Sequence, residues 1–138
     1  MAKRKIIITD IDHERLEDLL ASEFATVIGP FDYLDDLRAE LDRAQIVSPQ
    51  DVPRNVVTMN STVVLSEPET GARRTCTLVY PEDRDLFADA VNILQELGGS
   101  ILGHSVGDMV EVRETGKVRR LLIESITYQP EAAGDEEL

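Results

Sequence analysis

The sequence predicts an α+β protein: an N-terminal antiparallel helical hairpin, in the manner of a short coiled coil, followed by a small antiparallel β domain with a short helix. Three observations predict it. Leucines recur at helical spacing in two stretches, Leu16, Leu19 and Leu20, then Leu34, Leu37 and Leu41. Apolar and polar residues alternate from Val57 to Leu65 and from Arg73 to Tyr80. A turn signal at Glu114-Thr115-Gly116-Lys117 separates two runs rich in Val, Leu and Ile.

The charged start Lys3-Arg4-Lys5 and the β-branched run Ile6-Ile7-Ile8 predict an extended lead-in. Thr9 offers a capping oxygen, with Asp12 three residues on in the capping-box manner. Leu16, Leu19, Leu20 and Phe24 then place a first helix at about 11–24. Gly29-Pro30 interrupts it, and Asp32 caps a second helix whose Leu34, Leu37, Leu41 and Ala44 follow the 3-4-3 spacing of a coiled-coil seam. Helices of about 14 residues are about 20 Å long. They are too short to be stable alone, so each needs its twin and the rest of the fold.

The prolines of Ser48-Pro49-Gln50-Asp51-Val52-Pro53 mark a linker, which divides the chain into an arm, 1–48, and a β domain with an acidic tail, 49–138. Beyond it, Val57, Met59, Ser61, Val63 and Leu65 form one face of a half-buried strand, and Arg73–Tyr80 returns the chain with Cys76, Leu78 and Tyr80 on one side. Two readings fit the next segment. Leu86, Phe87, Ala90, Val91, Leu94 and Leu97 suit a helix from near Asp85, while Val91-Asn92-Ile93-Leu94 suits a short strand leading into a turn of helix at 96–102. In the corner Ser100–Asp108, Gly103 fits the left-handed position past a helix end and Gly107-Asp108 a tight turn into a strand. Strand 109–113, turn 114–117 and strand 118–128 follow, Pro130 stops the last strand, and the small acidic stretch Glu131–Leu138 reads as a loose tail.

The formal net charge is −13, which opposes generic binding to nucleic-acid phosphates. Residues 1–48 carry 6 basic and 11 acidic side chains and residues 49–138 carry 8 and 16, so neither half is basic. No direct sequence-specific nucleic-acid binding is expected, and a protein partner with a basic surface is favoured. No apolar run approaches the roughly 20 residues a membrane span needs. The front imitates a signal peptide, but its apolar part is short and Asp10 and Asp12 follow at once. One cysteine excludes an internal disulfide, and two histidines are too few for a Cys/His metal cluster. A cytoplasmic protein without metal or cofactor is expected.

The usual catalytic combinations are missing. His13 and His104 have no nucleophile recognisable near them, and Cys76 in mid-strand reads as a small core residue. Gly98-Gly99 with Gly103 lacks the lysine of a phosphate loop. At the tip of the proposed arm, Asp32, Asp35 and Asp36 form an acidic cluster in which Asp32 and Asp36 share a helix face, a spacing that suits either a hard cation or, the favoured reading, a helix cap. Arg73, Arg74, Lys117, Arg119 and Arg120 are the basic clusters of the second part and offer a local contact surface.

Taken together, Glu40-Leu41-Asp42-Arg43-Ala44-Gln45, Asp51-Val52-Pro53, Val56–Ser61, Thr77-Leu78-Val79-Tyr80-Pro81, Leu102-Gly103, Val106-Gly107-Asp108 and Tyr128–Asp135 span nearly the whole chain. In this combination the chain resembles the bacterial transcript-cleavage factors GreA and GreB, with a closer likeness to the short branch of that family, the regulators of nucleoside diphosphate kinase. The resemblance implies an FKBP-like C-terminal domain behind a coiled-coil arm, and RNA polymerase as partner near its secondary channel. It also implies a strand at 91–94 and a short helix at about 96–102, with the corner between them, here Asn92, Leu94, Gln95 and Glu96, as the partner-binding site.

Two departures from the family stand out. The family usually has Ser-Pro where this chain has Gln95-Glu96. Its cleavage factors carry catalytic acids at the tip of a considerably longer coil, so the resemblance implies a non-enzymatic polymerase-binding regulator that acts on nucleoside diphosphate kinase levels through transcription. A peptidyl-prolyl isomerase, suggested by the FKBP-like fold alone, is the alternative, together with a general protein adaptor. An isomerase needs an aromatic-lined pocket; the chain has no Trp, and Phe24, Phe31 and Tyr33 fall on the arm.

Overall fold

A computed structural model describes residues 6–21, 32–83, 88–114 and 117–134. Strand β1 (Ile7–Thr9) runs directly into helix α1 (Asp10–Ala21), and helix α2 (Asp32–Arg43) leads into strand β2 (Gln45–Val47). The two strands pair in parallel, Ile7 opposite Gln45 and Thr9 opposite Val47, and tie the two helices together at their base. Thr9 Oγ1 accepts a hydrogen bond from the Asp12 amide at 3.1 Å, which satisfies a free N–H of the first turn of α1. Arg38 Nη2 donates to the Leu20 carbonyl at 3.1 Å and links α2 to the last turn of α1.

The rest of the chain forms β3 (Thr62–Ser66), β4 (Arg73–Val79), β5 (Ala90–Asn92), helix α3 (Glu96–Ile101), β6 (Met109–Glu114), β7 (Lys117–Tyr128) and the single turn α4 (Pro130–Ala133). Its five strands make one sheet in the order β5-β4-β3-β7-β6, antiparallel except for β4 and β5. The leucines of the 3-4-3 seam are buried as expected, but they serve more than a helix pair. Leu16, Leu20, Leu34, Leu37 and Leu41 belong to the same buried cluster as Met59, Leu78, Tyr80, Leu97 and Ile101. The two helices, of 12 described residues each, obtain from the sheet and α3 the support that isolated helices of that length lack.

Several elements differ from expectation. The strand expected from Val57 onward begins only at Thr62. Residues 58–61 are a turn instead: the Ser61 amide donates to the Thr58 carbonyl at 3.1 Å, and Asn60 sits in the left-handed region at φ 67. The alternation misleads here because Val56 through Ser61 are all buried, so no solvent face distinguishes strand from turn. Strand β5 and helix α3 give the strand-then-helix alternative, with the strand one residue early and Ile93–Gln95 outside it. The tail is not loose at its start, since α4 forms over Pro130–Ala133 and ends on Gly134 at φ 80. Strand β2, three residues long, is too short to show a period in the sequence. The expected continuation of α1 to Phe24, and Phe31 with it, lie outside the described residues.

Candidate functional site

The polypeptide leaves β5 at Asn92 and enters α3 at Glu96, and a ring of local hydrogen bonds fixes the three residues between. The Asn92 amide donates to Gln95 Oε1 at 2.8 Å, the Leu94 amide donates to Asn92 Oδ1 at 2.9 Å, and the Gln95 amide donates to the Asn92 carbonyl at 2.9 Å. The Ile93 amide bonds the Val79 carbonyl at 2.9 Å and holds the corner to β4. Beneath it Gly98 packs so close that a Cβ there would lie 2.6 Å from the Asn92 carbonyl oxygen. Asn92, Gln95 and Glu96 reach the surface. Leu94 does not: at 2% exposure it belongs to the hydrophobic core and supports the corner from within.

The other candidate residues are more scattered. Asp32 is the first residue of α2; Asp35 and Asp36 are exposed, and Asp35 Oδ1 accepts a 3.1 Å hydrogen bond from Arg38 one turn on. Among the described residues no group of three or more His, Cys, Asp or Glu side chains is arranged to hold a metal ion. The sheet brings Arg73 and Arg120 beside carboxylates, Glu124 at 2.8 Å and Glu111 at 3.9 Å. His13 lies between the Leu41 carbonyl and Glu17, at 3.0 and 2.8 Å, and His104 Nδ1 stands 3.7 Å from Asp108. Cys76 is fully buried, and burial pushes its thiol up to about 11.

A buried polar junction escaped the sequence reading. Asp12, on the first turn of α1, is 7% exposed and accepts a 3.0 Å hydrogen bond from the Tyr80 hydroxyl at the end of β4. Burial pushes its carboxyl up to about 6; the Tyr80 bond works against this, and the charge of Glu131 adds to it. Burial likewise pushes the Tyr80 phenol well up, with the Asp12 charge as a second cause. Arg15 stacks over the Tyr80 ring, 3.9 Å from its centroid. Thr58 Oγ1, 2.9 Å from Ser61 Oγ, donates to Glu131 Oε1 at 2.7 Å. Glu131 therefore faces the same junction from α4. Only the Thr9/Asp12 capping pattern gave any hint of it, and that pattern pointed to a local role.

Comparison with known proteins fits this architecture. The family description "Transcription elongation factor, GreA/GreB, C-term" matches residues 49–128, and "Rnk N-terminus" matches residues 4–47. The chain is 40% identical over 136 residues to a regulator of nucleoside diphosphate kinase from Escherichia coli strain K12, covering 98% of both chains. A GreA elongation factor from Thermotoga neapolitana is 34% identical over 71 residues, 51% of this chain and 46% of that one. A solved GreA/GreB elongation factor from Nitrosomonas europaea superposes with a TM-score of 0.75 at 41% identity, covering 91% of this chain and 100% of the other. These relatives are named as regulators or elongation factors, and no described helix here is long and apolar enough to cross a membrane. With a GreA/GreB match over 49–128 and a relative 40% identical across 98% of both chains, this chain belongs to the GreA/GreB family, in the branch that carries an Rnk-type N-terminus.

Proposed function

We propose that the protein is a transcription regulator that binds RNA polymerase near the secondary channel and does not stimulate transcript cleavage. Its effect on nucleoside diphosphate kinase then runs through gene expression and needs no kinase site. The observation that carries this reading is the end-to-end likeness to a regulator of nucleoside diphosphate kinase, combined with a hydrogen-bonded corner at which Gln95 is exposed and Asn92 and Glu96 are half-buried. Family members bind RNA polymerase, and the corner is the segment through which the resemblance implies contact. The short arm supports the absence of cleavage. The described parts of its two helices, 12 residues each, are about 18 Å long, against the considerably longer coil that the resemblance gives to the cleavage factors.

The test is binding of the full chain to purified bacterial RNA polymerase core enzyme, with GreA as competitor. Saturable binding displaced by GreA is expected, and no binding at moderate salt overturns the proposal. Cleavage is assayed on stalled elongation complexes. The wild-type chain is expected to leave cleavage at its basal rate; strong stimulation, lost in Asp32→Ala/Asp35→Ala, would make it a cleavage factor.

A further inference from the structure

The corner's two side-chain amides are oriented by groups that can only donate. A backbone N–H must meet an oxygen, so the Asn92 amide fixes Gln95 Oε1 inward at 2.8 Å and the Leu94 amide fixes Asn92 Oδ1 inward at 2.9 Å. Each side-chain NH2 is then the group left to face away from the loop. Among the described residues neither NH2 has a hydrogen-bond partner, and the Glu96 carboxylate beside them has no ion pair. Leu94 and Leu97, both buried beneath the corner, and the close approach of Gly98 to Asn92 leave the loop little freedom to rearrange.

Resting on the reading of this corner as the polymerase contact, we infer that it reads its partner through the Asn92 and Gln95 NH2 groups and the Glu96 carboxylate. The surface it fits is a basic side chain flanked by uncharged carbonyl oxygens. The donors need acceptors opposite them. Carboxylates are disfavoured in that role by Glu96 itself and by a chain of net charge −13, which leaves backbone or side-chain amide carbonyls for the donors and a Lys or Arg for Glu96. Because the donors are held in place before binding, little side-chain entropy is lost on contact.

The discriminating variant is Gln95→Glu. Its carboxylate keeps, and strengthens, the acceptor for the Asn92 amide, but it replaces the outward donor with an oxygen. If Gln95 serves only to hold the loop, Gln95→Glu binds as wild type and Gln95→Ala does not. If Gln95 donates to the partner, both variants lose affinity by about tenfold or more. The experiment measures affinity of the full-length variants for RNA polymerase core enzyme, with hydrogen exchange at the Asn92 amide as the readout of loop structure. The expected result is weak binding by Gln95→Glu with Asn92 protected as in wild type, and a flatter salt dependence for Glu96→Gln. Wild-type affinity in Gln95→Glu, or in all three variants, overturns this inference and leaves polymerase binding standing. Failure of the wild-type chain itself to bind overturns the polymerase reading and this one with it.

Discussion

Tyr80 donates a 3.0 Å hydrogen bond to the Asp12 carboxylate across 68 positions of sequence, joining the first turn of α1 to the end of β4. Around this bond Arg15 and Glu82 stand 3.6 Å apart, Arg15 covers the Tyr80 ring, and Glu131 approaches from α4. The arm therefore meets the sheet through a buried acid whose neighbours come from three elements.

That acid makes stability depend on pH in a defined direction. Its folded value of about 6 lies above its ordinary 3.8, so the native state binds the proton more tightly than the unfolded chain does. The associated stability is complete below about pH 4 and is lost as pH rises to about 6. A difference of about two units corresponds to roughly 3 kcal/mol. Asp12→Asn keeps an oxygen for the Tyr80 hydroxyl and cannot ionise. It is expected to match wild type near pH 4 and to exceed it by about 1–3 kcal/mol at pH 7.5. Urea unfolding at the two pH values checks this; a gap that does not change with pH rules it out.

Two adjacent glycines of α3 are expected to respond with opposite signs. In Gly98→Ala the new Cβ would stand 2.6 Å from the Asn92 carbonyl oxygen and 3.0 Å from the Ile93 Cα, backbone atoms that cannot swing aside. The gain in helix propensity, up to about 1 kcal/mol, is outweighed by overpacking of about 1–3 kcal/mol. In Gly99→Ala the nearest atoms are 3.9 Å away, an ordinary contact, so the propensity gain survives. Thermal unfolding is expected to fall for the first variant and to hold or rise for the second, and amide shifts of Asn92 and Gln95 should move only in the first.

The legible parts of the fold were those with a long period or a distinctive turn. The seam Leu34, Leu37, Leu41 was readable because one face of α2 is buried and the other wet, and the pair β6 and β7 because two runs rich in Val, Leu and Ile flank a turn signal, of which residues 115–116 lie outside the described ones. The turn at 58–61 was not, since it is buried on all sides and its polar atoms are satisfied by Ser61 and Glu131, the latter 73 positions from Thr58. At the corner, the sequence gives the segment through family likeness but not the chemistry. That Leu94 points inward and that Asn92 and Gln95 spend their oxygens on the loop are facts of packing, and no spacing announces them.

Cys76 is expected to be inert in the native protein. It is fully buried in β4 opposite Val63 of β3, and burial holds the thiol up at about 11, so both access and thiolate are lacking. Reaction with a thiol reagent should proceed only through opening of the central sheet, and its rate should follow global unfolding as urea is added. Rapid labelling in native buffer would place the sheet's opening far below the global stability.

The C-terminal segment is expected to act as a clamp on the linker. Gln129 Nε2 donates to the carbonyls of Pro53 and Val56 at 2.8 and 2.7 Å, while Glu131 receives the Thr58 hydroxyl. Gln129→Ala leaves the buried Val56 carbonyl and the Pro53 carbonyl without this donor, a cost of about 2–3 kcal/mol. Glu131→Ala has two consequences of different sign. It removes a hydrogen bond to a charged group, worth about 1.5–3 kcal/mol, and it relieves the charge that helps to raise Asp12. Its loss of stability should therefore be greatest near pH 4, where Asp12 is protonated in the folded state and feels no charge from Glu131, and smaller at pH 7.5, where relief of Asp12 offsets part of it. In Asp12→Asn the same substitution should cost the same at both pH values. A cost of Glu131→Ala that ignores both pH and the Asp12 substitution would separate the clamp from the Asp12 junction.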